Sequence, residues 1–374
     1  MKLFEVYPLF DITITRGKGS YIWDDKGNKY LDLYGGHAPV SIGHSHPHYV
    51  KKITDQISKL GFYSNSIQNP LQQELADKLG EASGYDNYEL FLCNSGAEAN
   101  ENALKLASFH TGRKKIISFS KGFHGRTSLV VAITDNPKII APVNETENAL
   151  ILPFNDVLAL KKAFAQHEIC AVITEGIQGL AGIHEASQEF IQAIRDLCDE
   201  HQAVYVCDSV QCGYGRSGKF FSTDYYNIKA DIYTMAKAMG NGFPIGGVLI
   251  SPKFEAKFGM LGTTFGGSHL ACAAAIAVLE VYKKENLLTN ALKVGSYAIK
   301  QLQSIKEIKE VRGKGLMIGI ELAEECASVR KKLLFDYKIF TGTSSDKKTI
   351  RLLPALNITT QEIDVFVEAL KKCL

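Results

Sequence analysis

The sequence predicts an α/β protein: a large unit with a mainly parallel sheet between helices, joined to a smaller α+β unit. Three observations carry this expectation. The chain has 374 residues, more than a single compact core ordinarily organises. From Tyr88 to Ser251, short apolar runs alternate with stretches of helical period. From about residue 270 onward, two long helical stretches replace that alternation and lead to strands and a last helix. The large unit is placed at residues 46–268. The small one is built from 1–45 and 269–374, which flank the alternating segment on both sides.

The first 45 residues read as short strands with turns. Asp24-Asp25-Lys26-Gly27-Asn28 predicts a hairpin turn between Ser20–Trp23 and Lys29–Leu33. Residues 49–60 and 70–82 have amphipathic helical spacing. The alternation then runs strand Tyr88–Cys93, helix Ala97–Ala107, strands Lys115–Phe119 and Ala149–Pro153, and helix Asp156–Gln166 with Asp156 as an early-turn anion. It continues with strand Cys170–Thr174, helix Gln188–His201 and strands Ala203–Cys207, Ile232–Met235 and Gly246–Ser251. Helices over 270–284, 287–303 and 360–373 complete the pattern.

Composition removes several function classes. Hydrophobic residues make up 45% and charged residues 22%, an ordinary globular balance. Lysine plus arginine is 42 against 40 for aspartate plus glutamate, and no long basic run occurs, so nucleic acid is a poor partner. Eight cysteines without a C-x-x-C pair, several inside apolar runs, read as buried free thiols in a reducing compartment, with no metal site. The N-terminus has no apolar core of signal-peptide length. The longest apolar stretch, Leu270–Leu279, is too short to span a bilayer. A soluble cytoplasmic protein without membrane contact is expected.

In an open parallel sheet, ligands bind beyond the carboxyl ends of the strands, so the residues that follow each strand are the ones to inspect. Asn94-Ser95-Gly96-Ala97-Glu98-Ala99-Asn100 opens a helix with small residues, leaving free amides and a positive dipole end suited to phosphate. An ordinary strand-to-helix turn would look the same. Gly122-Phe123-His124-Gly125-Arg126-Thr127 offers a ring that stacks on a planar ligand and an arginine that grips a carboxylate; a surface loop with a salt-bridged arginine is the alternative. Asp208 directly follows a buried run, where a carboxylate needs a cationic partner; a helix cap or an ion pair would also serve. Lys237 lies between an apolar strand and the turn Gly240-Asn241-Gly242. Desolvation there would make it nucleophilic, although a lone lysine at a strand end more commonly reaches solvent. Together these are the four groups that pyridoxal 5'-phosphate requires: phosphate anchor, ring platform, counter-ion for the ring nitrogen and Schiff-base lysine.

With those motifs in view, the chain resembles the class III (fold type I) pyridoxal-phosphate aminotransferases, within them the acetylornithine, succinylornithine and ornithine aminotransferase group. Thr263-Thr264-Phe265-Gly266-Gly267, Ile350-Arg351, Gly43-His44-Ser45-His46-Pro47 and Gly213–Gly218 carry the resemblance further, over essentially the whole chain. It implies that Gly96 and Ala97 hold the cofactor phosphate, Phe123 stacks on the ring, Asp208 binds the ring nitrogen and Gln211 bonds near the phenolic oxygen. Lys237 would carry the cofactor and shuttle the proton. Thr264 would reach the phosphate of a neighbouring subunit in a homodimer, with Thr263 beside it at the substrate. Arg126 would bind the carboxylate farthest from the reacting amine and Arg351 the one next to it. The implied reaction moves the δ-amino group of an N-acylated ornithine to 2-oxoglutarate, giving glutamate and an N-acyl-glutamate semialdehyde, a step of arginine biosynthesis. Ornithine or 4-aminobutyrate aminotransferases are the neighbouring alternatives, and a catalytically silent binding protein on the same fold is the remote one.

The sequence departs from the family pattern at several points. Ala97 stands where threonine is usual, Ser209 where a glutamate follows the aspartate, and Leu180 where a second glutamate pairs with the arginine matching Arg351. Leu180 leaves Arg351 more available to an anion, which suggests a donor with an extra carboxylate, as in N-succinylornithine. His37 and the stretch Ser64–Asn69 are also unusual and point to an altered acyl pocket.

Overall fold

The computed structural model describes residues 1–374. A seven-stranded sheet organises the middle of the chain. From one edge its strands are Glu89–Cys93, Gly246–Ile250, Ile232–Met235, Val204–Asp208, Ile169–Thr174, Lys115–Phe119 and Ala149–Leu152. Only Gly246–Ile250 runs antiparallel to its neighbours; every other pairing is parallel. The three central strands are buried along their full length, as befits a parallel sheet covered on both faces.

Helices begin where the sequence supplies a cap. Ser95, Asp156, Ser187, Ser268 and Thr359 each accept a hydrogen bond from a backbone amide three residues on. Asp156, expected inside the first turn, is therefore the cap of Val157–Gln166. Gly84 and Gly112 end two helices in the left-handed conformation. Element boundaries differ from expectation by one to a few residues, and the helix Ala327–Phe335 was not anticipated. Its nine residues carry only a weak apolar stripe, with Leu333 and Leu334 alone buried.

The chain's two ends meet. The hairpin Tyr21–Asp24/Lys29–Asp32 pairs Tyr21 with Leu31 and Ile22 with Tyr30, and Asp32 lies beside Phe340 of the strand Ile339–Phe340. The Asp24 carboxylate organises the hairpin turn by accepting from the amides of Lys26 and Asn28 and from the Tyr30 hydroxyl. A three-stranded antiparallel sheet, Ile308–Lys314, Met317–Leu322 and Thr349–Leu352, carries Arg351. One apolar cluster of 65 buried residues includes side chains from the central sheet, the helix His269–Glu285 and this C-terminal sheet. All eight cysteines are free and buried. No helix is long and apolar enough to cross a membrane.

Candidate active site

The carboxyl ends of the central strands open into a cavity of about 440 Å³, within the range of small-molecule sites. Asn94 to Ala97, Phe123 to Arg126, Glu175, Leu180, Asp208, Gln211 and Lys237 all line it. The chain thus brings Gly96, Ala97, Phe123, Arg126, Asp208, Gln211 and Lys237 to one wall-to-wall space. Thr263 and Thr264 do not line it; Thr263 accepts from the side-chain amide of Asn94 at 3.2 Å, two residues before Gly96.

The cradle is the first turn of the helix Gly96–Thr111. The backbone amides of Gly96 and Ala97 have no acceptor in the protein, while those of Glu98 and Ala99 are taken by Ser95. Two unsatisfied donors at a helix N-terminus, facing a cavity, fit a phosphate. A Cβ on Gly96 would lie 2.6 Å from the Val210 side chain, so only glycine lets the turn sit this close to the strand end.

Asp208 is the last residue of its strand rather than the first after it, and is 2% exposed. Its carboxylate accepts from Asn100 Nδ2 at 2.8 Å, from His124 Nδ1 at 2.8 Å and from the Val210 amide at 3.0 Å. Asn100 is itself fixed, donating to the His124 carbonyl at 2.7 Å and accepting from Thr234 at 2.6 Å. Burial opposes charge on His124, but the hydrogen bond and charge of Asp208, with Glu175 behind, outweigh it and raise the imidazole above its ordinary pKa. A buried anion held this firmly suits a cationic ring nitrogen.

Lys237 has a φ of 40°, in the left-handed region that a lysine rarely adopts. Asn241 and Gly242, also at positive φ, complete a tight turn. Asn241 pins that turn from the other side: its Oδ1 accepts from the amides of Ser41 and Ile42 at 2.8 and 2.9 Å. Strain held in place by such contacts is characteristic of functional sites. Burial pushes the Lys237 amine below its ordinary pKa, Asp208 and Glu175 pull it back, and Arg351 pushes it down again.

Glu175 is the residue the sequence reading passed over. It is buried, lines the cavity, and accepts from the amides of Phe123 at 3.2 Å and Gly179 at 3.0 Å. Burial, then the charge of Asp208, push it up to about 7. The signal was available: Glu175 follows the buried run Ile169–Thr174 just as Asp208 ends its own.

The arginines differ. Arg126 is exposed at the cavity and forms no ion pair. Arg351 is 1% exposed and does not line the cavity; it donates to the Thr343 carbonyl and to Gln211 Oε1 at 3.2 Å, with no carboxylate in ion-pair reach. Gln211, expected to face a cofactor oxygen, has its carboxamide spent on Arg351 and on the His37 carbonyl at 3.2 Å.

A seven-stranded sheet with a strained lysine turn, a buried carboxylate and two unpaired helix-N-terminal amides around one cavity at its carboxyl edge has the layout of an α/β enzyme site. The class-III aminotransferase family model matches residues 5–374, and the chain belongs to that family. It is 41% identical to the acetylornithine aminotransferase of Archaeoglobus fulgidus, covering 98% of this chain and 96% of that one. Against the acetylornithine aminotransferase of Bacillus subtilis the identity is 39%, over 100% and 97%. An ornithine aminotransferase structure from Toxoplasma gondii, described as having partial occupancy of PLP at its active site, superposes with a TM-score of 0.91 at 27% identity, covering 99% of this chain and 91% of that one.

Proposed function

We propose that this aminotransferase uses pyridoxal 5'-phosphate to move the δ-amino group of N-acetylornithine to 2-oxoglutarate. The observation that carries the reading is Lys237, strained and desolvated, in one cavity with the anchored Asp208 carboxylate and two unpaired amides at a helix N-terminus. When bound, the cofactor supplies an aldehyde that exchanges amines and a ring that accepts electrons. The chain's own residues do the rest. The Gly96 and Ala97 amides would hold the phosphate, Phe123 would cover the ring, and Asp208, oriented by His124 and Asn100, would meet the ring nitrogen.

Lys237, once free, takes the proton from the substrate carbon and returns it; its lowered pKa leaves the amine able to accept one. Arg126 binds the carboxylate remote from the reacting amine. Arg351 binds the α-carboxylate of glutamate or 2-oxoglutarate. Acetylornithine as donor is supported by relatives of that name matched over nearly the full chain. Leu180 and His37 make N-succinylornithine the donor to compare against it.

Residues 46–268 form the cofactor-binding unit in this reading, and 1–45 with 269–374 the smaller one. Two copies complete the site, with Thr264 crossing to the partner's phosphate; exposed Phe62 and Phe265, their rings 5.3 Å apart next to Thr264, support an interface there. Eight unbonded cysteines support a cytoplasmic setting.

The test is twofold. Borohydride reduction of the cofactor-loaded protein, followed by peptide mass spectrometry, should place the label on Lys237; a label elsewhere overturns the site. A donor panel with 2-oxoglutarate should rank acetylornithine above ornithine and 4-aminobutyrate; a clear preference for either of those overturns the substrate.

A further inference from the structure

Arg216 is 1% exposed, and no carboxylate faces its guanidinium. Nε and Nη2 find no acceptor in the protein, so the charge is met by dipoles. Nη1 donates to the Pro354 carbonyl and, at 3.4 Å, to the Leu316 carbonyl. Burial pushes the group down to about 10, with only the Tyr282 phenol pulling it back. An apolar side chain would fill this volume without the desolvation cost, so what the cation contributes is the direction of its donors. It does not line the cavity.

Both carbonyls flank strands of the sheet that carries Arg351. Pro354 follows the strand Thr349–Leu352, and Leu316 sits in the turn that opens Met317–Leu322. The stretch Leu353–Leu356 is hung from several parts of the chain. The Leu353 amide donates to the Leu33 carbonyl at 2.8 Å and the Leu356 amide to the Ser41 carbonyl at 2.7 Å. Asn290 donates to the Leu356 carbonyl at 2.6 Å, and Arg216 takes Pro354. Of these attachments only Arg216 comes from residues 46–268, which also carry Lys237 and Asp208. The main chain around it is equally close. The Leu316 amide donates to the Arg216 carbonyl at 3.0 Å, and a Cβ on Gly315 would lie 2.4 Å from the Ser217 carbonyl carbon.

We infer that Arg216 is a positioning residue for the amino-acceptor half of the reaction: its grip on Pro354 and Leu316 sets the strand bearing Arg351 against the turn bearing Lys237. Hydrogen bonds from a cation to carbonyls are strong and directional, so they fix a distance that apolar packing alone leaves loose. A misplacement of about 1 Å in a group that orients substrate costs on the order of a hundredfold in rate. The effect is selective. The α-carboxylate of 2-oxoglutarate or glutamate meets Arg351, whereas N-acetylornithine presents its carboxylate to Arg126, on a loop that Arg216 does not touch. Loss of Arg216 therefore falls on the acceptor and spares the donor.

This rests on the reading of Arg351 as a carboxylate site, and the experiment separates the two. Each half-reaction of the loaded enzyme is followed alone by cofactor absorbance under single turnover, with acetylornithine as donor or 2-oxoglutarate as acceptor. Arg351→Lys is the reference. It should lower the second-order rate constant for 2-oxoglutarate about tenfold more than that for acetylornithine; equal losses would remove Arg351 from acceptor recognition, and the inference with it. Arg216→Met fills much of the volume without a donor and should reproduce the split: about tenfold or more lost with 2-oxoglutarate, no more than about threefold with acetylornithine. Arg216→Lys keeps a cation that reaches one carbonyl. It should show a smaller split in the same direction, and it carries the test alone if the methionine variant does not fold. In the cofactor-free protein, amide hydrogen exchange over residues 349–356 should be faster in either variant than in the parent, while residues 232–242 stay unchanged. If the Arg351 reference splits the half-reactions but the Arg216 variants slow both equally or neither, or if exchange over 349–356 does not move, Arg216 only packs the core and the inference is wrong.

Discussion

Lys237, Asp208 and Phe123 sit at or just beyond the ends of strands in one sheet, whereas Arg351, Gln211 and His37 are gathered from three separated segments of the chain. The first group is fixed by bonds that leave it little freedom. Asp208 has three hydrogen-bond donors, and the Lys237 turn is pinned by Asn241 to the amides of residues 41 and 42. The second group is held by neutral contacts, a 3.2 Å bond on each side of one carboxamide. The difference separates the two tasks of an aminotransferase. Chemistry needs preorganised groups that do not reorganise with each substrate. Accommodating an N-acylated diamine and then a dicarboxylate needs a wall that can exchange partners.

The largest test of the rigid side is Lys237→Ala. Turnover should fall by on the order of 10⁴-fold or more, since both the nucleophile and the proton carrier are lost. The thermal midpoint of the cofactor-free protein should change little, because φ near 40° is strained for either residue. A variant that keeps a tenth of the parent turnover would remove Lys237 from the chemistry. Next comes Asp208→Asn, which preserves shape and deletes charge. Steady-state turnover should drop on the order of 10³-fold. His124 should lose the partner that raises its pKa, observable by imidazole NMR titration as a downward shift.

Much of the rigid side was legible in sequence because strand, turn and functional residue are neighbours along the chain. Lys237 follows an apolar run of four, and Gly96 opens a helix after another, so reading beyond each strand finds them. Glu175 obeyed the same rule: its strand is placed to the correct end at Thr174, but the carboxylate that directly follows was not counted among the site residues. What the sequence does not reveal is the left-handed backbone at Lys237, since that conformation is imposed by contacts about 200 residues away. The adaptive wall was illegible for the same reason. Arg351 and Gln211 are separated by 140 positions, and their contact depends on Gly179 having no Cβ. Resemblance named both residues but assigned Gln211 to a different partner.

Glu175 joins the two sides, since its carboxyl grips Phe123 and Gly179 and lies within electrostatic reach of both Lys237 and Arg351. Its pKa is raised in the folded chain to about 7, so the native state binds more protons than the unfolded one between that value and the ordinary carboxylate range. Stability from this group is therefore complete at low pH and lost as pH rises through 7, by up to about 3 kcal/mol. Glu175→Gln abolishes the titration. Urea midpoints of the cofactor-free proteins at pH 5 and pH 8 should show the parent losing ground relative to the variant at the higher pH. A gap independent of pH would mean that Glu175 is already ionised at pH 5.

The smallest expected effect lies at the cradle, where Ala97 replaces the family's threonine. The backbone donors of Gly96 and Ala97 are free of protein acceptors, so on the proposed reading phosphate anchoring does not need the hydroxyl. Ala97→Thr adds one donor to a dianion and should tighten pyridoxal phosphate by about three- to tenfold, measured as the dissociation constant of the cofactor by fluorescence titration. The opposing term is space: a Cβ on Gly125 would lie 2.8 Å from the Ala97 Cβ, so the loop carrying Phe123 and Arg126 already presses on this residue. If the affinity falls instead, crowding has outweighed the hydrogen bond. The alanine would then be a packing choice that lets the Phe123–Arg126 loop approach the cradle, and the rigid side of the site would include that loop's backbone as well as its side chains.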